Sequence, residues 1–393
     1  MKNVLLVGSS FSAAPLFFNL KKRGFKVSVV GNSKSDPCHQ YSDESCYFDY
    51  SKESNLLDLV RDKKFDFIVP ACNDYSYMSC VSVAEELGYP GFDNIDTAVK
   101  LHVKDSFRRL SEDGLFNAPK QINFEKDIKY TVQNCKFPLL VKPVDSFSGI
   151  GVVKVYQSEK LQAAIDQARL ASRIGEVVIE EFIDGSLHSY SVFIRGNKIV
   201  SEFVVDEYCT VYPYQVNCSN CPSILQKSII EKVRIKISSL IESLELVDGL
   251  LHTQFMTDGK DVWIVECMRR CPGDLYGELI NRATGYNYTD MYLRPFINLP
   301  IESYKADKEV NYSGRHTISL LEETKYFSIK YKVPSKRIDF MPLKNSGEYV
   351  GKAPFDKIGI LFIDYENQES MKAITPNLAE CVTTKSYEVQ ECE

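Results

Sequence analysis

The chain has 393 residues, enough for two or three domains around a large buried core. A net charge of -6 leaves no broad basic field, which argues against a nucleic-acid partner. No apolar run approaches bilayer length, and Met1-Lys2-Asn3 leads straight into a strand, so a membrane partner is not expected and the expected location is cytoplasmic.

Lys2 to Gly8 reads as an apolar strand, followed by Ser9-Ser10-Phe11-Ser12, a helical pattern from Ala13 to Lys22 and a second strand from Phe25 to Val30. Strand, small-residue turn, helix and strand predict a right-handed βαβ unit opening a parallel sheet. Gly8 to Ala13 supplies one glycine where a dinucleotide fingerprint wants three, so an NAD site is not indicated. Leu56 to Arg61 reads as helix, Phe65 to Pro70 as a buried strand, and Asn73 to Leu87 as a helix stopped by Gly88. One more amphipathic helix is expected from Ala98 to Glu112, carrying Lys104.

The character changes at Phe137. Phe137 to Pro143 is a strand with Lys142 near its end, and Val144 to Gly151 follows before a strand at Val152 to Tyr156. A Ser/Gly loop between strands can aim backbone N–H groups and hydroxyls at phosphate oxygens, Gly149 and Gly151 permit close backbone approach, and the lysine supplies positive charge. A flexible hairpin tip would carry the same residues. Leu161 to Ser172 reads as helix and Val177 to Ile183 as a strand with Glu180 and Glu181. A hairpin with arms Ser189 to Arg195 and Lys198 to Val204 completes a lid-sized α+β subdomain.

Glu207 to Ile224 reads as a polar loop and Ser228 to Leu244 as a helix. The twelve cysteines are scattered and no disulfide framework is expected. Cys218 and Cys221 have zinc-knuckle spacing, but Cys267 and Cys271 are too far apart to be the second pair. Leu250 to Asp274 then reads as a β-hairpin turning at Asp258-Gly259. With a loop of three or five residues, Gln254 and Glu266 stand directly opposite on one face. An amide oxygen and a carboxylate so placed are half of a hard-cation site, and Arg269, Arg270 and the Cys271-Pro272-Gly273-Asp274 turn suit a polyphosphate beside it. A solvated sheet face would also carry one Glu and two Arg. Leu275 to Thr284 is expected as a helix behind the hairpin. Beyond Pro300 the signals weaken to short strands, a buried strand at Lys357 to Asp364 and a helix at Gln368 to Ile374.

In this order, the parallel α/β unit, Lys104, Lys142 before a Gly-rich loop, the Glu-Glu-Phe strand and the Gln254/Glu266 hairpin resemble the ATP-grasp superfamily, in its carbamoyl-phosphate synthetase and biotin carboxylase branch. The likeness covers roughly residues 1 to 310. It implies an α/β fold with a Rossmann-like parallel-sheet domain at 1–97, a helical connector at 98–136, an α+β lid at 137–205, a grasp subdomain with the metal hairpin at 206–310, and an extension at 311–393 that caps the grasp domain or joins two copies as a homodimer. It also implies ATP with Mg2+ or Mn2+. Lys104 and Lys142 match the phosphate-holding lysines. The loop Ser146 to Gly151, with Ser148, matches the one that closes over the phosphates. Glu180, Glu181, Phe182 and Ile183 match the strand that reads adenine. Gln254 and Glu266 match the metal ligands, and Arg270 with Lys142 matches the groups that steady the reacting phosphate.

Two positions depart from the family pattern. Met268 stands where a third metal ligand, Asn, is usual, and Leu187 where a ribose-holding Glu is usual, with His188 beside it as the candidate for that contact. His188, His252 and Cys267 lie near the expected site, although a structural role is the commoner one for such residues. The implied activity is ATP-dependent joining of a small-molecule carboxylate to an amine through an acyl phosphate, with ADP released. The alternative is a nucleotide-binding regulator or scaffold without turnover. A biotin-dependent carboxylase is disfavoured because no biotinyl-type Met-Lys-Met segment is present.

Overall fold

The computed structural model describes residues 1–122, 135–146, 149–304 and 310–386. The N-terminal unit runs β1 (Asn3–Val7), α1 (Ala14–Lys22), β2 (Lys26–Val30), α2 (Pro37–Tyr41), β3 (Glu44–Cys46), α3 (Glu53–Lys63), β4 (Phe67–Pro70) and α4 (Asp74–Leu87). The strands pair in parallel in the order β3-β2-β1-β4. Val4 and Leu6 bury into one core cluster and Leu5 and Val7 into another, which is why these strands read as unbroken apolar runs. Asn73 caps α4 by accepting from Ser76 N, and Gly88 ends it with φ of 75°. The cap fixes Asp74 as the first helical residue, beyond the end of β4.

The connector is two helices where one was expected: α5 (Ile95–His102) and α6 (Lys104–Glu112), with Val103 extended between them. No Gly or Pro marks this break, and tertiary contacts account for it. Leu101 and Phe107 enter the same core on either side, and His102 Nε2 accepts from Arg269 N at 3.1 Å. Lys104 becomes the first residue of α6.

Next come β5 (Leu139–Pro143), β6 (Val153–Val155), α7 (Leu161–Ala171) and β7 (Val177–Glu181), a three-stranded antiparallel sheet ordered β6-β5-β7 and backed by α7. The following hairpin, β8 (Ser186–Arg195) and β9 (Lys198–Tyr208), does not join this sheet as expected. It enters an eight-stranded antiparallel sheet with β10 (Cys218–Cys221), β11 (Gly249–Thr257), β12 (Val262–Met268), β13 (Tyr312–Ile318), β15 (Arg337–Pro342) and β17 (Gly359–Tyr365), ordered β12-β11-β8-β9-β10-β13-β17-β15. Each residue of β11, Gly249 to Thr257, pairs with one of β8, and this long ladder, with apolar side chains on both faces, outweighs proximity in sequence to the lid.

Helix α8 (Lys227–Ser243) covers one face of this sheet over Tyr190, Val192, Leu251 and Phe255. Helices α9 (Tyr276–Thr284) and α10 (Tyr288–Leu293) cover the other, where Phe193, Phe203 and Leu250 join the core shared with the N-terminal unit. Residues 311–386 are therefore largely part of the grasp sheet, and β14 (Thr324–Tyr331), β16 (Tyr349–Val350) and β18 (Val382–Ser386) form a small flanking sheet beside α11 (Gln368–Ile374). Strand β10 lies inside the segment expected to be loop. Its pleat sends Cys218 and Cys221 into different cores, so this pair does not converge on one ion. No described helix is long and apolar enough to cross a membrane.

Candidate active site

The hairpin β11–β12 pairs Gln254 with Glu266 as expected, but by a different route. Thr257 pairs with Val262, so the loop holds four residues, Asp258 to Asp261, and an unbroken ladder would set Gln254 against Val265. A β-bulge at Val265 supplies the missing step, since Phe255 pairs with Ile264 and Gln254 with Glu266. Val262 and Ile264 point into the α8 core, and without the bulge Glu266 would follow them. With it, Glu266 joins Gln254 on the opposite face. The parity break was legible, since Val262 and Ile264 are both even-numbered while Cys267, on the same buried face, is odd.

Arg108 holds the bulge. Its Nη1 donates to Val265 O at 2.8 Å and its Nε to Glu180 Oε1 at 2.8 Å. The other Glu180 oxygen takes the ammonium of Lys142. Burial alone would raise the Glu180 pKa, but Lys142 and Arg108 overcome it and push the carboxyl down to about 2. One carboxylate shared by two cations leaves a net positive charge facing Glu266. Arg108 was missed in the sequence, although it lies one turn after Lys104 on α6.

Lys104 Nζ donates to Val144 O at 2.9 Å and Ser146 O at 2.7 Å, tying α6 to the start of the Ser/Gly loop. Burial lowers its pKa, and the nearby carboxylate of Glu266 works the other way. Ser146 Oγ donates to Ile150 O at 2.7 Å. Gly149 and Gly151 have φ of 71° and 74°, and a Cβ on Gly149 would stand 2.7 Å from Pro213 O. Ser148 lies outside the described residues. In the strand after the lid helix, Glu181 N donates to Lys120 O and Phe182 N to Pro138 O, while Ile183 lies just past the ladder.

Arg270 makes a forked pair with Asp74, 3.1 Å from Nε to Oδ1 and 3.0 Å from Nη2 to Oδ2. Because His102 Nε2 accepts the Arg269 amide proton, its Nδ1 carries the hydrogen donated to Asp74 Oδ1 at 3.0 Å. Burial opposes ionisation of Asp74, but Arg270 and His102 prevail and hold its carboxyl far below the usual range. The Arg270 guanidinium is kept charged against its own burial by Asp74 and then by Glu266. Asp74 is a second residue that sequence reading passed over, although the Asn73 cap marks its place. Asp274 and Leu275, at the hairpin's end, both adopt left-handed φ, 53° and 55°, where the chain turns against Ser12.

His188 does not take the expected place. It is one residue out of step with Ser189, which pairs with Gln254, so the pleat turns it to the opposite face. There it stacks on Phe255 with Nδ1 2.8 Å from Asp206 and Nε2 2.7 Å from Ser186. His252 and Cys267 are likewise buried structural groups, bonded to Ser191 and Thr253.

The donor set fits a hard cation. Among the described residues Glu266 makes no hydrogen bond or ion pair, and Gln254 Oε1 accepts none, so two oxygens on paired strands stand available beside three cationic side chains. Magnesium is commonly held by one or two side-chain oxygens with the rest of its shell from phosphates and water.

Residues 114–291 match the family model described as D-ala D-ala ligase C-terminus. A formate-dependent phosphoribosylglycinamide formyltransferase from Prochlorococcus marinus subsp. pastoris is 28% identical over 82% of this chain and 87% of its own. The L-amino acid ligase of Bacillus licheniformis superposes with a TM-score of 0.80 at 17% identity, covering 98% of this chain and 99% of that one. The biotin carboxylase domain of Hydrogenobacter thermophilus 2-oxoglutarate carboxylase, solved with MgADP and bicarbonate, gives a TM-score of 0.76 at 15% identity, covering 98% and 91%. The chain has the ATP-grasp fold. It is related to the ATP-dependent ligases of this superfamily, which use ATP with Mg2+. The cluster just described joins the three-stranded sheet to the eight-stranded sheet.

Proposed function

We propose that this chain is an ATP-grasp ligase that binds the phosphates of Mg-ATP between Lys104, Lys142 and Arg270, with Gln254 and Glu266 as the cation's protein ligands and Ser146 to Gly151 closing above. The observation that carries this reading is the connection from Lys142 through Glu180 and Arg108 to the bulge beside Glu266. It joins lid, connector and hairpin, three segments far apart in sequence, at one charged locus. The unit 1–97 and the lid up to residue 185 are read as the walls of the cleft and the eight-stranded sheet as its floor. Bound Mg2+ would neutralise phosphate charge and hold the terminal phosphates in one geometry.

In the proposed reaction a substrate carboxylate oxygen attacks the γ-phosphorus as the bond from that phosphorus to the β,γ-bridging oxygen breaks, giving an acyl phosphate and ADP. Lys142 and Arg270 stabilise the charge on the transferring group, and Lys104 holds the loop against solvent. A neutral amine then attacks the acyl carbon, the C–O bond to phosphate breaks, and inorganic phosphate leaves as the nitrogen loses a proton. A scaffold without turnover is not favoured, because both oxygen donors and all three cations are retained despite Met268.

An ADP-release screen over pooled small carboxylates and amino acids, followed by mass spectrometry of the product, tests the reading. Expected is ADP with an amide. AMP as the product overturns the acyl-phosphate scheme.

A further inference from the structure

The first cation ligand proposed above is Gln254, and a glutamine raises a problem that a glutamate does not. Its oxygen and nitrogen occupy nearly the same positions, and only the oxygen can bind a cation. Something must decide which one faces Glu266.

Gln254 Nε2 lies 2.7 Å from Glu207 Oε2. The carboxamide NH2 donates to this carboxylate oxygen, so the Gln254 oxygen faces the other way. The register shows how the two meet. On one face of the sheet Gln254 pairs with Glu266 on one side and with Ser189 on the other, while Glu207 of β9 pairs with Leu187, the next residue on that face of β8. The small Ser189 side chain lets the long side chains of Gln254 and Glu207 reach each other across β8.

Glu207 is itself fixed. It is 6% exposed, it shares a hydrogen bond with Ser189, and Ser189 Oγ lies 2.7 Å from the hydroxyl of buried Tyr276 on α9. Burial raises the Glu207 pKa, Ser189, Arg315 and Gln254 oppose the rise, and no lysine or arginine forms an ion pair with it among the described residues. Its side-chain hydrogen bonds go to Ser189 and to the Gln254 amide.

We propose that Glu207 is a positioning residue that holds the Gln254 carboxamide with its oxygen turned toward Glu266, presenting two oxygens to the divalent cation of the nucleotide. The inference rests on the Mg-ATP reading of the same site. Glu207 touches neither metal nor substrate and acts only through Gln254, as outer-shell carboxylates orient metal ligands elsewhere. It also accounts for the glutamine, because a glutamate at 254 would set two carboxylates 2.7 Å apart in a buried row.

The test is Mn2+ binding in the presence of ADP, read as loss of the free-ion EPR signal, with ADP affinity measured separately in EDTA. Glu207→Gln is expected to weaken Mn2+ about tenfold, the low end for an outer-shell residue, and to leave metal-free ADP binding unchanged. Gln254→Glu alone is expected to weaken Mn2+ as well, and the double variant Gln254→Glu/Glu207→Gln to return it to the wild-type value or tighter. That reversal requires the two side chains to act on each other, and general loosening of the sheet would not produce it. Unchanged Mn2+ affinity in Glu207→Gln, or no recovery in the double variant, overturns the proposal. If the wild-type protein binds ADP but no Mn2+ with it, the cation site itself fails, and this inference with it.

Discussion

Two buried ion-pair systems cross between units of this protein, and they differ in charge balance. Arg269 pairs with Asp93 at 2.7 Å, both side chains 2% exposed, and its remaining donors go to Leu250 O and Val247 O. One cation meets one carboxylate and each of its three side-chain nitrogens donates to protein, which describes a joint. Arg108 and Lys142 share the single carboxylate of Glu180, leaving one positive charge in excess near Glu266, which forms no ion pair among the described residues. Arg269 and Arg270 diverge one residue apart, since the pleat sends one into the joint and the other to Asp74 at the site. Burial and hydrogen bonding do not separate structural charge from functional charge here, and the residual charge does.

The sharpest way to break this contrast is to remove one carboxylate from the joint. Asp93→Ala strands a buried guanidinium and orphans Tyr77 OH and Val247 N. It should cost about 3–5 kcal/mol of stability in urea unfolding, with ADP release per folded molecule unchanged. A matching fall in turnover at full folding would put the joint inside the site.

The complementary change is Lys142→Ala, which leaves Arg108 to balance Glu180. Stability should move by less than about 1 kcal/mol, while ADP release falls by roughly 10²–10³, the range for losing one preorganised donor. Glu266→Ala should behave in the same way, because among the described residues that carboxylate has no hydrogen-bond or ion-pair partner to orphan. Large destabilisation in either variant would mean the locus is a joint after all.

Acid separates the regions less strongly. Burial lowers the His252 pKa from 6.5 to about 3, with help from Arg270 and Arg315, and burial likewise lowers His316 to about 4. Glu180 is held at about 2 against an ordinary 4.5. All three have folded values below their unfolded ones, so the unfolded chain binds more protons and stability is lost as pH falls. The histidines act from pH 6.5 downward, and Glu180 only below about 4.5. Urea midpoints should therefore decline between pH 6.5 and 5 through the grasp sheet, and His252→Asn should flatten that decline. An unchanged slope in the variant would assign it elsewhere.

Much of this was legible in the sequence wherever local pattern and packing agree. The parallel strands read as continuous apolar runs because both faces are covered, and the Asp258-Gly259 turn marked the hairpin. Lys104, Lys142 and Arg270 lie near Glu266, which pairs with Gln254. Three features were hidden by tertiary terms. The helix break at Val103 carries no breaker residue. The hairpin β8–β9 sits next to the lid in sequence yet gains a nine-residue ladder only by leaving it. His188 is misplaced by a single residue, because period-two alternation turns a one-step error into the wrong face. Arg108, Asp74 and Glu207 were missed for a common reason: each acts through a partner far away in the chain.

The smallest expected effect concerns the departure at Met268. It lies on the Gln254 face, paired with His252 and 6% exposed, two residues past Glu266. Its thioether is a poor ligand for a hard cation, so it contributes packing there and no oxygen. Met268→Asn adds a carboxamide on the same face as both proposed ligands. It should tighten Mn2+ in the presence of ADP by a few-fold only, since Asn is shorter and the cavity left by the methionine disfavours it by about 1–2 kcal/mol in stability. A gain in affinity would show that this face already converges on the ion. Weaker binding in a folded variant would mean that the cation lies away from residue 268, nearer the Gln254 end of the pair.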